Sequence, residues 1–419
     1  MRLTRLFTKT SKTVPADETS KNARLLIQAG FVHKEMAGVY SFLPLGLRVL
    51  NNIANIVREE MDSTGGQEIL MPSLQLKERY ELTGRWNDDV VDNWFKTKLV
   101  SGSELGLGFS HEENVVPIAK NYISSYKDLP FAPYQIQTKF RNELRSKSGL
   151  MRGREFLMKD MYSFAINEEQ HQAFYKQAQT AYGKVYDRLG IGDRTFMAFA
   201  SGGSFSKYSH EFQTLSEAGE DVIYLSRSQK IAINREVLND EVLSELKLRR
   251  DELEEVKAIE VGNIFSLGTK FSKPFNLNVT DEKGELATLL MGCYGIGISR
   301  LLGTIAEILS DEKGLVWPDN IAPAKLYIAR LGNNPEVIKQ ADTIYEGLTA
   351  AGVQVLYDDR DVRPGEKFAD ADLMGVPKRL VLSDKTLSAG SLELKTRTAE
   401  KADQISQEQL FKILGTTGQ

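Results

Sequence analysis

Apolar residues recur at helical spacing after Pro44. Leu47, Leu50, Ile53, Ala54, Val57 and Met61 line one face, and Gly65-Gly66 closes the segment. The stretch Gln67–Pro72 reads as a short strand ended by its proline. Two further strands are predicted over Tyr134–Phe140 and Glu155–Met161. The turn between them, Ser146 to Gly153, is rich in Arg, Lys and Gly, so the pattern is an antiparallel hairpin with a charged tip. An amphipathic helix is predicted over Glu168–Leu189. The run Leu238–Lys257 is strongly charged, with spaced Val and Leu, and reads as an exposed helix laced by acid–base pairs. A glycine-rich turn near Gly292 leads into a helix through Leu309.

The pattern changes after Pro323. Strands are predicted over Lys325–Arg330, Val353–Tyr357 and Arg379–Leu382, with helices over Glu336–Ala351 and Gly365–Met374. Ser406 with Gln409 forms the sequence of a capping box opening a last helix. Alternating strands and helices imply an α/β module. Its prolines make Trp317–Pro323 the expected linker before it.

Composition narrows the class. The chain has 419 residues, 41% hydrophobic and 26% charged, as in folded globular proteins. At ~150 residues per domain, two or three domains fit. Basic and acidic residues number 53 and 57, for a net charge of -4, which gives no electrostatic sign of nucleic acid but leaves room for a local basic patch. The single cysteine, Cys293, excludes an intramolecular disulfide framework and a Cys-rich zinc site, and fits a reducing compartment. The start, MRLTRLFTKTSKTVP, lacks the apolar core of a secretory signal; its Arg, Ser and Thr leave a transit peptide open. No run approaches the ~20 apolar residues of a membrane span.

Several motifs lose their first reading on inspection. His111-Glu-Glu-Asn-Val115 begins like a zinc-protease helix, but the second histidine is a valine. Gly295-Ile-Gly-Ile-Ser-Arg300 begins like a dinucleotide fingerprint, but its sixth position is arginine and no βαβ unit frames it. No Walker A pattern exists. Ser110 reads as a helix N-cap with Glu113 at N3. Cys293, beside Tyr294, has no base partner in sequence. Arg141 and Glu143 end the first hairpin strand, two apart and therefore on one face. Alone they would be a structural ion pair. Arg145, Lys147, Arg152 and Arg154 crowd the same hairpin, however, and Phe156 follows. Such a concentration of like charge suits a bound anion, and an aromatic ring with an Arg plane suits a purine base.

In order along the chain, these segments resemble a class II aminoacyl-tRNA synthetase, and more closely the bacterial-type prolyl-tRNA synthetase family. Motif 1 is the Leu47–Met61 helix with the strand ending at Pro72. Motif 2 is FRNELRSKSGLMRGREFLMKDMYSF from Phe140 to Phe164, and motif 3 is GCYGIGISRLLG from Gly292 to Gly303. VGNIFSLGTKFS from Val261 and DDRDVRPGEKFADADLMG from Asp358 also fit. The resemblance implies an α+β class II catalytic core, an antiparallel sheet flanked by helices, followed by an α/β anticodon-binding domain. The core would span 1–219 and 261–322, with a short connection at 220–260 where an editing domain usually sits, and the anticodon module 323–419.

The same resemblance implies roles. ATP, with Mg2+, and L-proline would be the substrates, with tRNA(Pro) as the acceptor. Arg141 and Arg300 would be catalytic; Arg141, Glu143, Arg152, Phe156 and Arg300 would bind ATP. Phe156 and Arg300 would sandwich the adenine. Ser110, Glu112, Arg141, His210 and Cys293 would bind proline, Glu112 facing its ammonium. Glu211 is the candidate metal ligand. Arg363 and Lys367 would meet the anticodon, with Arg360 and Asp370 nearby. A cytoplasmic homodimer is implied. Ser110 in place of threonine, Asn263 in place of histidine, and Ala165 after Phe164 depart from the family pattern. A non-catalytic paralogue, binding tRNA or regulating a partner enzyme, is the alternative; it would be expected to lose the arginines that are all present here.

Overall fold

The computed structural model describes residues 1–146, 148–203, 205 and 208–415; Lys147, one of the basic loop residues, lies outside them. The chain forms two compact units. One comprises Met36–Val39 and Ile53–Thr304, the other Met1–Glu35, Tyr40–Asn52 and Ile305–Gln419.

The first unit is built on a nine-stranded sheet. Its strands are β1 (Gln67–Glu68), β2 (Pro133–Phe140), β3 (Glu155–Ala165), β4 (Thr195–Ser201), β5 (Tyr208–Leu215), β6 (Asp221–Ser226), β7 (Ile231–Asn234), β8 (Glu254–Gly268) and β9 (Leu290–Gly297), in the order β5-β4-β7-β6-β8-β9-β3-β2-β1. Its centre, from β2 through β3 and β9 to β8, is antiparallel. Parallel pairing is confined to β1 on β2 and β7 on β4. Strand β8 is long enough to pair with β6 through its first residues and with β5 further on. Strands β5, β4, β7, β6 and β8 therefore close on one another.

Period-2 alternation sorts the sheet into two faces. Met158, Asp160 and Tyr162 on β3 lie opposite Gly297, Gly295 and Cys293 on β9. Asn263 and Phe265 of β8 lie opposite Gly295 and Cys293, and Glu211 of β5 opposite Asn263. These residues share one face. The helix α1 (Pro44–Asp62) is as predicted. Helix α2 (Glu112–Tyr122) starts beside the first face, and α3 (Glu168–Arg188) covers the opposite face. On that face the Phe174 ring meets Tyr294, and Tyr175 donates to the Ile264 carbonyl.

Three local expectations change. The strand expected over Gln67–Pro72 is only Gln67–Glu68. The exposed helix expected over Leu238–Lys257 is only α4, Asp240–Glu245. Lys247 adopts φ 55°, a left-handed backbone that ends the helix. Leu248 then turns back, its N–H donating to the Leu243 carbonyl, and packs with Val242 and Leu243 on Phe199 and Ile233. Burial of these spaced apolar residues outweighs the helical charge pattern, and the chain re-enters the sheet at Glu254. Ser110 does not cap α2: His111 is the N-cap and makes no side-chain capping bond.

The second unit holds a five-stranded sheet of β10 (Leu326–Arg330), β11 (Val355–Asp358), β12 (Lys378–Leu382), β13 (Leu392–Thr396) and β14 (Asp403–Ile405), in the order β11-β10-β12-β13-β14. After α5 (Ile298–Leu309), which crosses the division between the units, come α6 (Pro335–Ala350) and α7 (Pro364–Met374). β10 pairs in parallel with β11 and β12, and α6 buries Val337, Ala341, Ile344 and Leu348 against them. The Ser406–Gln409 capping box forms as predicted. Trp317–Pro323, expected to be a linker, is packed within this unit. The Trp317 ring stacks on Phe31 at 5.7 Å and its Nε1 donates to the Met374 carbonyl at 3.0 Å. Compactness changes near Ile305.

Candidate active site

The first face of the nine-stranded sheet opens on two adjoining cavities, whose walls share Arg141, Glu260 and Arg300. Ser110, Glu112, Phe156 and Cys293 line the first; Glu143 and Arg152 line the second.

At the end of the first cavity, Glu112 is fully buried at the start of α2. Its Oε2 accepts from Ser110 Oγ at 2.5 Å and from Arg85 Nη1 at 3.0 Å; its Oε1 accepts from Cys293 Sγ at 3.2 Å. Burial raises the Glu112 pKa, but Arg85 and the hydroxyl outweigh it and hold the group below its ordinary value. Burial and Glu112 push the Cys293 thiol well up, so it is a donor and not a nucleophile. Beneath lies a buried network. Lys139 bridges Asp160 at 2.7 Å and His111 Nδ1 at 2.7 Å, while the Tyr162 hydroxyl donates to Asp160 at 2.8 Å. Burial, then the Lys139 charge, lower the His111 pKa to about 4, so this imidazole is neutral and accepts from Lys139.

Where the cavities meet, the Arg141 guanidinium lies between two rings, 5.1 Å from Phe109 and 5.4 Å from Phe156. Strand β2 ends at Phe140, so Arg141 and Glu143 sit in the connection after it and do not share a strand face. They form no ion pair with each other. Glu143 instead accepts from Arg152 at 2.7 Å, and Arg152 also binds Glu220 at 2.7 Å. Among the described residues no carboxylate pairs with Arg141, and its Nε is buried without a partner. Burial, then the charge of Arg300, lower its pKa. Arg300 donates to the Glu260 carbonyl at 2.7 Å and to its carboxylate at 2.9 Å. The connection after β2 is tied down by a tight turn at Gly38. Its φ of 76° frees its carbonyl to accept from Arg154 N–H at 2.7 Å, and an added Cβ would collide with Ser146.

Not every expected residue joins the site. His210 projects from β5 to the opposite face, where its Nδ1 meets the Tyr175 hydroxyl at 2.7 Å; strand alternation that sends Glu211 to the cavity face sends His210 away. Glu211 accepts from Gln213 at 2.8 Å and Asn234 at 3.1 Å; burial, then the nearby Glu260, raise its pKa to about 8. Among the described residues no three His, Cys, Asp or Glu side chains gather to hold a metal by themselves. In the second unit Arg363 is exposed at the start of α7. Lys367 is buried, its ammonium bonded to the carbonyls of Arg330 and Asp358, so it is a structural lysine unable to meet RNA. Arg360 is likewise engaged, at 2.7 Å from both Asp358 and Asp370.

Arg85, Lys139, Asp160 and Glu260 were not singled out from sequence. Arg85 arrives from a short turn through Gly84, at φ 73°, and nothing in its spacing signals burial. Lys139 immediately precedes the recognised motif and Asp160 lies within it, and register alternation alone would have turned both toward the cavity.

A family model described as the tRNA synthetase class II core domain (G, H, P, S and T) matches residues 95–309, and one described as an anticodon binding domain matches 325–417. The proline–tRNA ligase of Phenylobacterium zucineum is 37% identical over 99% of this chain and 100% of its own. That of Caulobacter sp. (strain K31) is 39% identical over 95% and 94%. The fold is similar to the solved structure of Giardia lamblia prolyl-tRNA synthetase in complex with prolyl-adenylate, with a TM-score of 0.76 and 20% identity over 91% of this chain and 74% of that one. With 37–39% identity over nearly the whole of this chain and of its relatives, the chain belongs to the proline–tRNA ligase family.

Proposed function

We infer that this protein activates L-proline with ATP to prolyl-adenylate and transfers the prolyl group to the 3′ end of tRNA(Pro). The observation that carries the reading is Arg141: a cation without a carboxylate partner among the described residues, set between an anionic amino-binding end and an arginine-lined cavity. In-line attack of the amino-acid carboxylate on the α-phosphate builds charge on phosphoryl oxygens, and needs positioned cations rather than a nucleophilic side chain. Arg141 would hold the carboxylate and α-phosphate together. Arg300 and Phe156 would take the adenine, Glu143 would fix the adenine side of the site, and Arg152 would exchange its carboxylate partners for terminal phosphates. Ser110 and Glu112 would receive the secondary ammonium, with the Cys293 thiol beside them. The oxygen donors of Glu211 and Glu260 fit a hard divalent cation that completes its shell with phosphates. Mg2+ so held would neutralise phosphate charge.

The chain in 220–260 is committed to β6, β7, α4 and the start of β8, which supports an enzyme that does not edit alanyl-tRNA in cis. Rapid hydrolysis of alanyl-tRNA(Pro) by the purified protein would contradict this. Exposed Leu70 in the motif 1 segment, with exposed Leu74 and Leu76 just after it, supports a homodimer through this stretch, and a monomeric mass in solution would count against it. Among the described residues no helix is long and apolar enough to cross a membrane. The reading is of a cytoplasmic enzyme, which cell fractionation tests. The exposed Arg363 would contact the anticodon. The decisive assay is amino-acid-dependent ATP–pyrophosphate exchange with proline, alanine and threonine. Exchange should be strongest with proline; folded protein giving none with proline would overturn the assignment.

A further inference from the structure

The amino-binding end of the cavity holds more charge than the substrate touches. Arg85 is 1% exposed, and Glu112 and Glu113 are 0% exposed. One guanidinium serves both carboxylates: Nη1 lies 3.0 Å from Glu112 Oε2 and 3.1 Å from Glu113 Oε2, while Nη2 donates to Ser110 Oγ at 2.9 Å. Thr83 Oγ1 donates to the far carboxylate of Glu113 at 2.7 Å. Phe205 and Phe271 rings lie 4.8 and 5.3 Å from the guanidinium, so water does not share the cluster's charge. Only Glu112 lines the cavity; Glu113 lies behind Arg85.

An Arg85–Glu112 pair alone would be neutral. A neutral acceptor gains little from an incoming cation that must leave water. The second carboxylate, once ionised, changes the sum to one net negative charge, equal and opposite to a secondary ammonium; burial raises the Glu113 pKa against the opposing charge of Arg85. Of the other charges nearby, Lys139 and Asp160 cancel as their own pair, Arg141 stands at the junction of the two cavities where the substrate carboxylate would lie, and Lys270, exposed, adds a positive charge that Glu112 and Glu113 both feel. We propose that Glu113, acting through Arg85, is the charge-setting residue for amine recognition: it balances the guanidinium and leaves Glu112 its full charge for the substrate ammonium. The inference rests on Glu112 being the ammonium acceptor.

The test compares L-proline with tetrahydrofuran-2-carboxylate, which has an ether oxygen in place of the ring ammonium. Both are measured in pyrophosphate exchange, proline by its KM and the isostere as an inhibitor, in mildly alkaline buffer where a buried carboxyl is ionised. Glu113→Gln should reduce the preference for proline over the isostere by about tenfold or more, with the KM for ATP unchanged, as expected for coupling between close charges. The double variant Arg85→Met/Glu113→Leu removes both members of the balancing pair, restores the net charge, and should keep the preference. A loss in Glu113→Gln that is equal for both ligands, an unaltered preference, or a collapse in the double variant would overturn the inference. Glu112→Gln separates the two readings. If it abolishes the preference while Glu113→Gln does not, only the role of Glu113 fails. If it too leaves the preference intact, Glu112 is not the acceptor.

Discussion

Lys159 is a buried ammonium on the side of the sheet away from the cavities, and replacing it should strengthen the fold. It donates to the Tyr182 hydroxyl at 2.7 Å and to the Tyr294 carbonyl at 3.0 Å, with the Tyr182 ring centroid 4.4 Å away. Among the described residues no carboxylate pairs with it. Burial lowers its pKa from 10.5 to about 7, against opposing contributions from Cys293 and Asp160. A shift of that size makes the charged form ~5 kcal/mol costlier in the folded chain than in the unfolded one. Between about 7 and 10.5 the unfolded chain holds a proton that the folded chain has released, so stability rises with pH across that window. Below it both states are charged and the penalty is complete. Lys159→Met keeps the length of the side chain and removes the penalty. It leaves the Tyr294 carbonyl without this donor, at ~1–3 kcal/mol. The expected result is a net gain of ~2–4 kcal/mol on the acid side of the window, falling through zero within it and becoming a loss of ~1–3 kcal/mol at its alkaline end, where only the missing donor counts. Urea titrations in a Trp317→Phe background would leave Trp86 and Trp94 as reporters of this unit. A variant that is less stable than its parent by the same amount at every pH would refute the electrostatic reasoning.

The remaining predictions concern the cavity and the second unit. A Cβ at Gly295 would meet nothing closer than 4.0 Å, the Asn263 carbonyl oxygen and Met158 sulfur, so the residue is small for the cavity and not for packing. Gly295→Leu should fold with an unchanged melting point yet lose at least ~10-fold in kcat/KM for proline, a loss of ~1.4 kcal/mol or more in transition-state binding. Cys293→Ser should keep most exchange activity, because the thiol only donates to Glu112; complete loss would assign it a stricter role. Lys367→Ala should destabilise the second unit by ~1–3 kcal/mol by orphaning two buried carbonyls, whereas Arg363→Ala should leave stability alone and weaken charging of tRNA(Pro). Equal stability effects of the two would refute the distinction drawn between them.

Much of the fold was legible because burial and period agree. The α1 face, the β2 and β3 hairpin, and the alternating elements after Pro323 each carry one unambiguous pattern. The Leu238–Lys257 run was misread because its charges dominate the pattern, while the few apolar residues that decide its path are buried by strands distant in sequence. His210 was misassigned because a motif states which residues are near one another, not which face of a strand each takes. Lys367 was misassigned for a related reason. A lysine at a turn reads as solvated, and only the carbonyls of Arg330 and Asp358, remote in sequence, reveal it as buried. Arg85 left no local signal, since its partners come from α2 and its neighbouring rings from three separate segments.

The arginines that motif 2 and motif 3 made conspicuous differ in how fully they are already paired, and the differences follow position. Arg152, at the loop edge, binds two carboxylates, and Arg300, on α5, binds one. Arg141, at the junction of the cavities, binds none among the described residues. A paired cation can meet phosphate only by giving up a partner, so it contributes the difference between two ion pairs and not a whole one. On the proposed reading Arg141 would contribute its full attraction, and would do so where a carboxylate and an α-phosphate have to approach each other against their own repulsion. The peripheral arginines are held by carboxylates, and the central one is left uncompensated among the described residues. A net charge of -4 conceals this arrangement, because what matters for the chemistry is which carboxylate each cation already holds.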